Sequence, residues 1–131
     1  MKKTGVLAIL FFMAFIRCSD MTADLQLDDL KAHNMKIIPE NPVSGDDIKL
    51  VVFEDCTYNV LVGINRTGQT IEITKQFNSM MKWPCVMKND TISIGKLPEG
   101  KYVINYKLED VAPQTVTATV ISLSFGLTVK N

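Results

Sequence analysis

The chain has 131 residues, 47% hydrophobic and 21% charged, a size and balance that suit one compact domain rather than two. Fourteen basic and fourteen acidic residues cancel, which excludes a general field favouring nucleic acid or an anionic membrane. A single histidine and the lack of a glycine-rich phosphate cradle leave no Ser-His-Asp centre and no nucleotide loop, so the chain does not read as an enzyme.

Lys2 and Lys3 precede an apolar run over residues 5–16, which ends at "RCSD". The run is too short to cross a bilayer, where roughly 20 apolar residues are needed. A positive start before a short apolar block is the layout of an export signal, predicted over residues 1–17. Removing Lys2, Lys3 and Arg17 leaves an excess of acidic residues. Residues 18–34 are polar and acidic, and short isolated helices are weak in water, so this segment reads as a tether.

From Met35 onward the pattern is β. The stretches "MKII", "DIKLVVF", "TYNVLVGIN", "QTIEITKQF", "TISI", "KYVINYKL" and "TVTATVISLSFGLTV" are rich in β-branched and aromatic residues and mostly alternate. Turn chemistry divides them at "PENPVSGD", "NRTGQ", "GKLPEG" and "EDVAPQ". Seven short strands at this spacing predict an all-β, two-sheet antiparallel sandwich over residues 35–131. Inward faces are expected at Ile48, Leu50 and Val52, at Tyr58, Val60, Val62 and Ile64, and at Tyr102, Ile104, Tyr106 and Leu108. In the last strand the apolar parity changes from Val116, Ala118 and Val120 to Ile121, Leu123, Phe125, Leu127 and Val129. One extra residue near Val120–Ile121 restores a single face and predicts a β-bulge, with a switch between sheets as the other option.

Two resemblances add to this reading. Cys18, directly after the apolar block, resembles the lipidated cysteine of bacterial lipoproteins, with Arg17 where that family carries a small residue. The acidic "SDMTADLQLDD" behind it is similar to the tails of Bacteroidetes surface lipoproteins. The resemblance implies a lipid anchor at Cys18 and a place on the outer membrane or cell surface, otherwise in the periplasm or secreted. "PENPVSGDDIKLVV" followed by "LPEGKYVINYKLED" resembles the immunoglobulin-like and fibronectin-type sandwiches of bacterial surface proteins. In those, the segment matching Leu97–Tyr102 is a corner where a tyrosine hydroxyl, here Tyr102, bonds back to backbone. The antibody-type disulfide and tryptophan are not matched in position.

In the strand order of such a sandwich, the turn holding Cys56 and the crossing Asn78–Asn89 holding Cys85 fall at one end. An exported chain meets an oxidising compartment, and a Cys56–Cys85 disulfide is predicted. The crossing contains "MMKWPCVMK", residues 80–88, with three methionines and the only tryptophan. Its soft sulfur atoms suit monovalent copper, but no histidine or M-x-x-M cluster accompanies them. A catalytic thiol lacks a base and a dithiol lacks C-x-x-C. Two readings stay open: Met80, Met81, Trp83 and Met87 cap the core, or they form an exposed partner-binding surface braced by the cross-link.

Glu54, Asp55, Asp90, Glu109 and Asp110 also gather at this end. They suit solvated strand ends, a calcium site without the D-x-D-x-D-G spacing, or the acid/base pair of a glycoside hydrolase, for which so small a domain offers little cleft. No metal or cofactor is expected. "NRT" at Asn65 and "NDT" at Asn89 match glycosylation tripeptides, and "DTI" at Asp90 resembles the Bacteroidetes O-glycosylation motif. The expected role is non-enzymatic: binding or structural contact with a protein or glycan at the cell envelope. A protease inhibitor using loops 78–89 and 110–114, and an architectural subunit of a surface assembly, are the alternatives.

Overall fold

A computed structural model describes residues 30–112 and 117–131. The export segment, Cys18, residues 18–29 of the tether and Val116 lie outside the described residues. Seven strands form two sheets: β1 (Met35–Ile38), β2 (Asp47–Cys56) and β5 (Met87–Lys96) in the order β1-β2-β5, and β3 (Val60–Thr67), β4 (Thr70–Phe77), β6 (Gly100–Asp110) and β7 (Ala118–Val129) in the order β3-β4-β6-β7. The sheets face each other over one apolar core. Ile48, Leu50, Val52 and Ile92 come from one side, and Ile71, Ile73, Ile104, Tyr106, Phe125 and Val129 from the other. These are the alternate positions of strands with a buried face, which is why the pattern of period two places them together.

The expectation of a purely antiparallel sandwich is corrected at β4 and β6, and at an isolated parallel bridge between Val43 and Lys130. β4 and β6 run parallel, with Thr70 opposite Val103 and Phe77 opposite Asp110. The β3–β4 hairpin is therefore set with β4 inside the sheet and β3 at its edge. Both strands carry apolar residues at alternate positions, and the choice rests on which of them docks on β6. β4 carries Ile71 and Ile73 on one face with polar Glu72 and Thr74 on the other, whereas β3 has Val60, Leu61 and Val62 on both faces. Docking β4 on β6 carries Ile71 and Ile73 to the middle of the sheet and leaves β3 at its edge. The predicted inward face of β3 is overturned as a result: Val60 and Val62 are exposed, while Tyr58 and Ile64 are only partly covered.

The parity change in β7 is a bulge. Leu108 pairs with Ile121 but Glu109 pairs with Thr119, so Val120 is the extra residue and Leu123, Phe125, Leu127 and Val129 all turn inward. A helical turn at residues 30–32 precedes β1, and its Leu30 is only 4% exposed. The packed domain thus begins ahead of Met35, and residues 30–34 belong to it rather than to a tether. The Asn34 carbonyl accepts from the Phe53 amide at 2.8 Å, tying this turn to β2.

At the opposite end from Cys56, the Tyr102 hydroxyl donates to the Pro98 carbonyl at 2.9 Å and closes the β5–β6 turn. The Arg66 guanidinium lies over the same ring at 5.4 Å from its centre. Tyr102→Phe removes the hydrogen bond and keeps the packing, so it is expected to lower stability by about 1 kcal/mol. A urea titration checks this as a lower midpoint at unchanged slope.

Candidate functional site

The end of the sandwich that carries Cys56 is shaped by an irregularity in β2. Pairing runs from Val52 opposite Asp90 to Asp55 opposite Lys88, so Phe53 and Glu54 together face Asn89. Glu54 takes a left-handed conformation, with φ of 51°, and its amide donates to Asn89 Oδ1 at 3.2 Å. Without this extra residue, the alternation of Ile48, Leu50 and Val52 would turn residue 54 inward and residue 55 out. The bulge exchanges them, and Asp55 enters the interior at 8% exposure.

Lys75 meets it there. On β4 the inward series Ile71, Ile73 continues to Lys75, which is 0% exposed. Its Nζ donates to Asp55 Oδ2, in direct contact, and to Asp90 Oδ2 at 2.6 Å. Asp55 Oδ1 points the other way and accepts from Asn59 Nδ2 at 2.6 Å and from the Cys56 amide at 3.0 Å. Asp90 enters from the facing strand β5, and its side chain is 33% exposed, so this carboxylate touches both the ammonium and solvent. The Tyr106 phenol lies nearby on β6. Burial, reinforced by the negative charges of Asp55 and Asp90, pushes it well above the ordinary tyrosine value. Among the described residues, no buried side-chain nitrogen or oxygen lacks a hydrogen-bond partner. One ammonium and two carboxylates therefore sit, fully bonded, between the two sheets.

Above this cluster Cys56 and Cys85 are joined as a disulfide, with Cα atoms 5.5 Å apart across a sequence separation of 29. The segment from Asn78 to Val86 is fixed at several further points. The Thr57 amide donates to the Val86 carbonyl at 3.1 Å, and Met81 donates to the Asn78 carbonyl at 3.1 Å. Tyr58 and Trp83 meet edge to face with ring centres 6.4 Å apart. Asp110 Oδ1 accepts from the amides of Ser79 at 3.0 Å and Ala112 at 2.9 Å. Hydrogen bonding to Ser79, then to Ala112, holds its carboxyl below the ordinary value of 3.8.

The apolar side chains of this loop face outward. Met80, Met81, Trp83, Val86 and Met87 are all at least half exposed, Trp83 to 64%. The core-capping reading is thereby overturned. The loop lies across the rim, pinned to β2 and to the β6 end, and nothing above it covers these side chains among the described residues.

The acidic residues of this end do not converge as a set. Asp55 and Asp90 face Lys75, Glu109 accepts from Gln76 Nε2 at 3.0 Å, and Asp110 holds the loop. Among the described residues no group of three or more His, Cys, Asp or Glu side chains is arranged to hold a metal ion. Lys75 was not singled out from the sequence, although a signal was present: in "TIEITKQF" it continues the inward parity of Ile71 and Ile73. A scan against protein-family models, a search of curated proteins and a search of solved structures each returned no match for this chain.

Proposed function

We propose that this chain is an exported, non-enzymatic binding module of the cell envelope, with one immunoglobulin-like domain anchored through lipidated Cys18, and that it captures a protein partner through the loop Asn78–Val86 and Met87. The observation that carries the reading is the concentration of exposed Met80, Met81, Trp83, Val86 and Met87 on a segment held by a disulfide. Exposed apolar side chains grouped on a rigid rim bury area on association without the entropy cost of ordering a loose loop. Tryptophan and methionine are also enriched at protein interfaces. Lys82 and Lys88 lie beside Glu54 and Asp110 at this end, so the border of the patch carries both signs and suits a partner with charges of both signs around its own apolar patch. A glycan would call for more hydrogen-bonding groups around the single indole.

Trp83→Ala tests this reading. Trp83 is mostly exposed and packs only edge to face on Tyr58, so the variant is expected to stay folded and to lose about 1 kcal/mol or less. Loss of a central tryptophan typically costs 2 kcal/mol or more, roughly 30-fold in affinity. Quantitative capture from the native envelope, parent against variant, checks the loss. Equal capture of the same protein by both chains refutes the surface.

A further inference from the structure

We propose that Lys75 and Asp55 condense to an intramolecular amide, Asp90 carrying the protons, so that the two sheets are joined covalently as well as packed. The placement of the three groups is that of a reaction site rather than of a simple ion pair. The nucleophile is a lysine with no exposed surface, in contact with one carboxylate and 2.6 Å from a second. The electrophile has its two oxygens in different surroundings. Oδ1 receives two N–H donors, from Asn59 Nδ2 and the Cys56 amide, while Oδ2 faces the amine. Two N–H groups aimed at one carboxyl oxygen polarise the carbonyl and hold the negative charge that gathers there when a nucleophile adds. The third group, Asp90, reaches Nζ and remains one-third open to solvent, which suits a proton carrier and provides the way out for water.

The step balances as follows. The Nζ lone pair adds to Asp55 Cγ once a proton has left the ammonium. The charge on Oδ1 is held by Asn59 and Cys56. The Nζ–Cγ bond forms and the Cγ–Oδ2 bond breaks. Two protons pass from Nζ to Oδ2, which departs as water, and Asp90 ends as the carboxylate it began. Nothing is oxidised or reduced. A dry site favours the exchange, because an ammonium and two carboxylates lose solvation there and an amide does not carry charge. Groups held in fixed contact also react at effective concentrations on the order of 10⁵–10⁸ M, which drives a condensation that dilute amine and acid do not undergo. The product ties β4 to β2 directly beneath the Cys56–Cys85 disulfide.

The test is mass spectrometry of the full exported chain, reduced and denatured, against its Asp55→Ala variant. The parent is expected to be lighter by one water molecule than the variant's mass and the substitution together require. Trypsin is expected to leave the bond after Lys75 uncut and to release one branched peptide containing Asp55 and Lys75. This comparison needs no folded variant. A parent chain of full mass, with linear peptides and cleavage after Lys75, overturns the amide. Asp90→Asn is expected to accumulate unlinked chain; linkage as complete and as fast as in the parent overturns the part given to Asp90. Neither result depends on capture of a partner, so the rim surface stands or falls separately.

Discussion

Replacing Lys75 by alanine is expected to destabilise the domain by about 3–5 kcal/mol, because it strands the buried Asp55 carboxylate without its cation. The cost comes from the position of the group. Asp55 is almost wholly enclosed, and the two N–H donors on Oδ1 do not neutralise its charge. The lost methylenes also leave a void between β4 and β2, which adds to the penalty. With the amide in place in the parent, the variant further loses a cross-link spanning a separation of 20 residues, worth about 3 kcal/mol more in the loop-entropy model. Guanidinium unfolding of parent and variant gives the difference. The double variant Lys75→Met, Asp55→Leu removes both buried charges and fills the space, so it is expected to be more stable than Lys75→Ala alone. A single variant as stable as the parent would show that the ammonium does not compensate Asp55.

Loss of the disulfide is the second large effect. Cys56→Ser combined with Cys85→Ser opens a link across 29 residues and is expected to lower stability by about 3–4 kcal/mol, again as a loop-entropy value. The damage should fall unevenly. The strand register below Asp55 rests on the apolar core, whereas among the described residues the segment from Asn78 to Val86 keeps the bonds to Asp110, Asn78 and Thr57 and the Tyr58 contact. Hydrogen exchange is therefore expected to quicken at Ser79, Met81 and Thr57 before it quickens at Leu50 or Ile104. Uniform quickening through the whole domain would show that the link holds the fold rather than the rim.

Much of the β pattern is legible in the alternation of the sequence. Ile48, Leu50 and Val52 alternate, and so do Tyr102, Ile104, Tyr106 and Leu108, and each set is buried. The changed parity at Val120 located a bulge, because one unpaired residue is the smallest disturbance that keeps Leu123 and Phe125 facing inward. Other features depended on tertiary choices that leave no local trace. The order of β3 and β4 within their sheet depends on which member of the hairpin docks on β6, and Val60 and Val62 alternated as plausibly as Ile71 and Ile73. Asp55 was hidden by Glu54, whose left-handed backbone has no glycine to announce it. Lys75 is hard to place from sequence because lysine is almost never fully enclosed unless paired, and its partners lie 20 and 15 residues away on other strands. The disulfide partners were readable from the strand order, but the outward stance of Trp83 was not, since an indole and three methionines suit a core equally well.

The parallel pairing of β4 with β6 also governs how the chain reaches its final form. The β3–β4 hairpin closes through two residues and can assemble early, since its contacts are local. β4 and β6 have no such shortcut: Thr70 and Val103 must be brought together from distant parts of the chain, with β5 placed in the opposite sheet between them. Contacts of that separation, like those that join β2 to β5, carry their loop-closure cost before any stabilisation is gained, which makes this junction slower to form than the β3–β4 hairpin. Until it closes, the apolar edges of both strands stand open to neighbouring chains, and self-association competes with productive folding at that stage.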